Sequence, residues 1–169
     1  MPPPYNVHKA PGRVASSIII AAVSAFMAAA SAAPPTLPTA IDLALDGREA
    51  RGLGAPVLIL YSQAGCHWCE EARRYIVPLS TTSGTREKAI FRQIDIDSDT
   101  ILSDFAGQAG SHRQFAKARK IDMTPTVMLY APDGQAIGDP IIGMRLPDFY
   151  AQYIINAIES ARTAIAAEQ

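Results

Sequence analysis

Val57-Leu58-Ile59-Leu60-Tyr61-Ser62-Gln63-Ala64-Gly65-Cys66-His67-Trp68-Cys69 decides how this 169-residue chain is read, because it holds both of the cysteines. Val57 to Tyr61 is too short and too continuously apolar for a helix bounded by Pro56 and Gly65, so it reads as a central strand. Beyond it, Cys69, Ala72, Ile76 and Leu79 recur at helical spacing, with Glu70, Glu71, Arg73 and Arg74 toward water and Pro78 disturbing the last turn. The cysteines therefore stand at a strand-to-helix junction. Two thiols separated by two residues there can close into a small disulfide ring, and the first sulfur lies where unpaired backbone N–H groups point. Such a sulfur is a stabilised thiolate. A free thiol of pKa about 8.5 is only about 3% ionised at pH 7, whereas a pKa near 7 makes roughly half of it nucleophilic. The alternative, a structural staple, has little to recommend it, since so short a ring adds little stability.

The chain has the length of one domain. Fifteen basic against sixteen acidic side chains give a formal charge of −1, so no electrostatic footprint for nucleic acid is visible. Lys9 and Arg13 precede Ser16 to Ala30, rich in isoleucine and alanine, and the run ends in Ala30-Ser31-Ala32-Ala33 before Pro34, Pro35 and Pro38. Residues 1–33 read as a secretory signal, which places the protein in an oxidising compartment, in a bacterium the periplasm. The competing reading is an uncleaved membrane anchor, because Val14 to Ala33 could span a bilayer by length. Its alanine and serine content and its Ala-x-Ala ending favour cleavage. Residues 34–40 read as a stiff linker and residues 41–169 as the domain.

Ile41 to Arg51 reads as a short amphipathic helix, Ala89 to Ile96 as a second strand, and Asp97 to Gly110 as a polar connection. Ser111-His112-Arg113-Gln114 stands in capping-box register for a helix to about Lys120, with His112 expected at the surface. Thr126 to Tyr130 is the next strand, Pro132-Asp133-Gly134 a turn, and Gln135 to Ile142 an antiparallel edge. From Pro147, positions Tyr150, Ile154, Ala157, Ile158, Ala161 and Ile165 repeat at helical spacing. The class is α/β, a mixed sheet flanked by helices.

This order of elements, with Leu60 to Cys66, Ile94-Asp95-Ile96-Asp97 and Thr124-Pro125-Thr126, resembles the thioredoxin superfamily across roughly residues 41–165. Within it the chain looks most like small secreted bacterial thioredoxins, some of which accompany sulfur-oxidation (Sox) systems. The resemblance implies that Pro125 is cis beside the cysteines and that the backbone of Thr124 pairs with an extended substrate peptide; the alternative is a trans proline opening an edge strand. It also implies that Cys66 attacks and Cys69, more buried, resolves. The implied activity is thiol:disulfide exchange with a redox-active Cys66–Cys69 disulfide and no other cofactor, more often reducing a specific partner than oxidising at large. A sulfur-carrier protein or an apocytochrome is an expected client, a membrane protein the expected electron donor, and a monomer the expected state.

His67, Trp68 and Glu70 are the expected supporting residues. An imidazolium at His67 would favour the Cys66 thiolate, whereas a neutral ring turned to solvent would do little. Trp68 offers an apolar rim for a substrate or packs on its own loop. Many thioredoxins carry a buried aspartate in the strand below the cysteines; here that position is Leu60. Glu70 or Glu71 is left to supply a base through water, or to be a solvated carboxylate favoured by the helix N-terminus.

Asp95, Asp97 and Asp99 imitate an EF-hand opening, but Thr100 and Ala106 stand where glycine and glutamate are needed. No histidine follows Cys69, which excludes covalent haem, and two cysteines with His67 and His112 make a poor zinc set. No metal site is expected. Two further classes stay open: a copper(I) module, since soft thiolates suit that ion, and a regulatory protein whose cysteine pair is only a redox-sensitive latch.

Overall fold

The computed structural model describes Met1 and residues 36–168; residues 2–33 of the expected signal segment lie outside the described residues. Among the described residues no helix is long and apolar enough to cross a membrane. In chain order the elements are α1 (Leu43–Leu53), β1 (Val57–Ser62), α2 (His67–Thr81), β2 (Ile90–Asp95), β3 (Ile101–Ser103), β4 (Ala109–Ser111), α3 (His112–Ala118), β5 (Thr126–Tyr130), β6 (Ala136–Ile142), a 3₁₀ turn (Pro147–Phe149) and α4 (Tyr150–Ala167).

β1 is buried along its whole length because helices cover both faces of the sheet. Successive side chains alternate between faces, so Leu58 and Leu60 meet Ala72, Ile76, Tyr150, Ile154 and Ile158 of α2 and α4. Val57, Ile59 and Tyr61 point the other way, into the cluster with Leu43, Leu102, Phe115 and Tyr130. The sheet order is β2-β1-β5-β6, with β1 parallel to β2 and antiparallel to β5, and β5 antiparallel to β6. β1 thus delivers α2 to the sheet's carboxyl end from a position it cannot leave without opening both cores.

Three expectations are corrected. The connection 97–110 is not wholly irregular: β3 and β4 form a hairpin of three-residue strands, too short to show a period of two. Residues 37–40 are not a free linker, for Leu37 is buried, Thr39 bridges to Gln93, and Ala40 N–H donates to Gln93 O at 2.9 Å. The outer edge of β2 carries unpaired backbone groups, and the extended chain that prolines enforce is a shape that such an edge accepts. The third concerns His112. It lies at the start of α3, behind the capping box of Ser111 and Gln114, yet it is fully buried.

The ring of His112 explains why. Its Nδ1 accepts from Asp95 N–H at 3.1 Å, which leaves Nε2–H to donate to Ala40 O at 2.8 Å, so one neutral imidazole ties β2, the 37–40 segment and α3 together. Elsewhere on β2, Arg92 Nε donates to the buried Asp46 at 2.9 Å and fixes α1 on the sheet. His112→Ala orphans a half-buried N–H and a buried carbonyl and opens a void, so it should lower unfolding free energy by about 2–4 kcal/mol. Urea denaturation measures this, and a loss below about 0.5 kcal/mol would place the ring among ordinary surface substitutions.

Candidate active site

The left-handed backbone of Gly65, φ 67°, lets the chain turn between the end of β1 at Ser62 and the start of α2 at His67. Cys66 is the N-cap of α2: its Sγ accepts from Cys69 N–H at 3.1 Å, and its carbonyl accepts from the N–H groups of Cys69 and Glu70 at 3.0 and 3.2 Å. Cys66 and Cys69 are joined in a disulfide, with Cα atoms 5.2 Å apart. Cys66 is half-buried, and Cys69 is wholly buried. The geometry therefore gives the two sulfurs unequal surroundings: one is reachable and sits on the positive end of a helix dipole, the other lies behind it.

Thr124 and Pro125 come to the same place from 58 residues away, Thr124 Oγ1 standing 3.6 Å from Cys66 Sγ. The Thr124–Pro125 peptide bond is cis. Thr126 Oγ1 donates to Met123 O at 2.8 Å and Gly143 N–H donates to Pro125 O at 2.8 Å, so the loop is held from within and from the end of β6. Trp68 is 56% exposed on the helix's first turn, with the ring of His67 edge-on to it at 5.4 Å. Glu70 is exposed and Glu71 pairs with Arg74 at 3.2 Å. Leu60 is fully buried in the cluster under α2, so the strand beneath the cysteines offers no carboxylate there.

The structure adds residues that motif reading did not gather. Arg73, expected in water, is half-buried and donates from Nη1 to Ser62 Oγ at 3.0 Å. With Cys66, Glu70, Gln93 and Asp95 it lines a pocket of about 470 Å³ that opens beside the reachable sulfur. Met123, next to Thr124, is 59% exposed. A signal for the pocket was present in β2: Phe91, Gln93 and Asp95 share the face that Leu58 and Leu60 share in β1, so two polar residues interrupt an otherwise buried apolar surface.

The perturbed tyrosines belong elsewhere. Burial pushes the hydroxyls of Tyr61 and Tyr130 above the ordinary phenol range; they touch at 2.6 Å in the cluster on the far face of the sheet. Among the described residues no group of three or more His, Cys, Asp or Glu side chains could hold a metal ion.

The thioredoxin-like domain family matches residues 43–157. Among solved structures, Trxlp from Edwardsiella tarda EIB202 is similar at 19% identity and TM-score 0.50, over 70% of this chain and 97% of that one. A thioredoxin from Fasciola hepatica is similar at 14% identity and TM-score 0.50, over 73% and 97%. At such identity the likeness speaks for the fold. Among curated proteins, no sequence matches the chain.

After reduction, the unequal burial of the two sulfurs should set the order of alkylation. At neutral pH iodoacetamide should modify Cys66 first, and Cys69 should follow only slowly unless the protein is unfolded. Peptide mass mapping over time reads this directly, and equal rates at the two sites would contradict the geometry.

Proposed function

The chain belongs to the thioredoxin-like domain family and carries a disulfide-bonded pair at Cys-x-x-Cys spacing, which makes it a thiol–disulfide oxidoreductase, and from that premise we propose that it reduces a specific partner protein in the bacterial periplasm. The observation that carries the chemistry is the position of Cys66 Sγ, half-exposed at the N-cap of α2 with Thr124 at 3.6 Å and Cys69 buried behind.

In the reduced protein the Cys66 thiolate attacks one sulfur of the client disulfide, and the client's other sulfur leaves as a thiolate that takes up a proton. The product is a mixed disulfide. Cys69, deprotonated, then attacks Cys66 Sγ, the second client sulfur leaves, and the Cys66–Cys69 bond closes. Two electrons and two protons have passed to the client, and a membrane donor must return them. Thr124, beside the attacking sulfur, presents the backbone along which an extended client segment would lie, while Trp68 and Met123 give that segment an exposed apolar rim. Export rests on residues 1–33, and the reducing direction on the resemblance to secreted thioredoxins; a sulfur-carrier protein or an apocytochrome cysteine is the client that this resemblance favours.

Cys66→Ser should abolish reduction of a protein disulfide, whereas Cys69→Ser should still attack and then hold its client as a mixed disulfide visible on a non-reducing gel. Turnover by Cys66→Ser would discard the mechanism. Equilibration against glutathione should place the pair nearer about −270 mV than about −120 mV, and a value at the oxidising end would reverse the proposed direction.

A further inference from the structure

The charges around the reachable sulfur are held in different ways. From α2, Glu70 and Arg73 line the pocket beside Cys66, with His67 next to it on the helix; from β2 comes Asp95, and from just beyond β2 Asp97. Ser62 and Gln93 on the strands beneath are neutral, as is Thr124 on the cis-proline loop. Elsewhere Arg74, Arg86, Lys88, Arg92 and Arg113 each pair with a carboxylate, but among the described residues Arg73 forms no such pair. Its Nη1 donates instead to Ser62 Oγ at 3.0 Å, a neutral hydroxyl at the buried end of β1, and its Nε is buried without a partner.

The helix aims that charge at the cysteines. Cys66, Cys69 and Arg73 recur at intervals of three and four, so they share one face of α2. Helical side chains lean toward the N-terminus, and Ser62, where the guanidinium is anchored, precedes Cys66 by four residues. At about 1.5 Å per residue, Arg73 Cα stands about 10 Å along the axis from Cys66, and the leaning side chain closes much of that distance. The guanidinium therefore acts on Cys66 Sγ from within about one Debye length at 0.1 M salt, and its partial burial weakens the screening further. The nearby carboxylates oppose a thiolate at Cys66, whereas this charge favours one. An arginine stays protonated through the whole pH range of thiol exchange, so its contribution is constant where a histidine's is not.

We propose that Arg73 is a positioning residue for the exchange: its guanidinium, anchored on Ser62, holds a fixed positive charge near Cys66 and sets the share of that cysteine present as the attacking thiolate. The inference rests on the exchange reaction assigned to Cys66 and names a residue that governs its first step without touching the client. In the disulfide the guanidinium has no charged sulfur to act on. Reduction breaks the S–S bond with two electrons, and two protons complete the two thiols; the guanidinium then eases the loss of the Cys66 proton to solvent. It therefore stabilises the reduced form, fully at pH values where Cys66 is ionised, and not at all where both wild type and variant carry the proton.

Iodoacetamide alkylation of the reduced protein, followed at Cys66 by peptide mass mapping from about pH 5 to about pH 9, needs no client and so is read separately from the exchange reaction. Arg73→Met keeps the stem and removes the charge: Cys66 should react about threefold more slowly on the acid side of its midpoint, while the rate on the alkaline plateau stays within about twofold of wild type. Arg73→Lys, which keeps the charge, should recover most of the lost rate, and Ser62→Ala, which frees the guanidinium, should lose an intermediate amount. At equilibrium with glutathione, Arg73→Met should lie about two- to threefold further toward the disulfide than wild type at about pH 8, and be indistinguishable from it at about pH 5. Circular dichroism identifies an Arg73→Met protein that has failed to fold, and Ser62→Ala then carries the test. An unchanged acid-side rate in the folded variant, or a loss in Arg73→Lys as large as in Arg73→Met, would overturn the role given to the charge while leaving the exchange reaction standing. Failure of the reduced wild-type protein to reduce any protein disulfide would instead discard that reaction.

Discussion

One hydrogen bond, from Cys69 N–H to Cys66 Sγ at 3.1 Å, links the fold to the chemistry. A helix must do something with its first unpaired N–H groups, and a sulfur in the N-cap position takes one of them. That contact begins α2, sets the spacing of the two sulfurs, and puts the reachable one where negative charge is stabilised. The arrangement tolerates little drift, because only four residues join α2 to β1, and β1 is clamped between two strands and two apolar clusters. The rigidity of the sheet is what gives the exposed sulfur a defined address.

The same sheet explains how a loop remote in sequence reaches the site. β5 pairs antiparallel with β1, and Tyr61 lies opposite Thr126 in the register, so the residues just before β5 must emerge beside those just after β1. Thr124 and Pro125 meet Cys66 for that reason. Gly143 N–H to Pro125 O then carries the constraint one strand further, to the end of β6. Three loops converge because three adjacent strands end at one edge.

The parts of this legible in the sequence are those written in local patterns. The apolar run of β1, the helical spacing through Cys69, Ala72 and Ile76, the capping box at Ser111 and the long repeat of α4 each arise from interactions within one element, and each element forms where its pattern lies. What the pattern could not show depends on partners distant in the chain. His112 looks like a surface residue at a helix start until Ala40 and Asp95 are brought to its two nitrogens. Leu37 looks like part of a linker until the edge of β2 is there to receive it. β3 and β4 are too short to carry a period at all. At the site, both cysteines and Pro125 stand out by residue type, whereas Gln93 and Arg73 matter only because β2 and α2 face each other across a gap.

That gap bears on the departure at Leu60. Leu60 and Gln93 are register partners on the face under α2, so the position beneath the cysteines is apolar while polarity begins one strand away. Carboxylates at Glu70, Asp95 and Asp97 line the pocket beside the half-buried Cys66, and none of the three lies under the fully buried Cys69 at the Leu60 position. Negative charge beside the Cys66 sulfur works against the thiolate that the helix N-terminus favours. Arg73, which donates to Ser62 Oγ in the same pocket, offsets part of that effect. The position of charge separates this site from one with an acid buried under the second cysteine: here the carboxylates stand beside the reachable sulfur, and the strand beneath the pair presents Leu60.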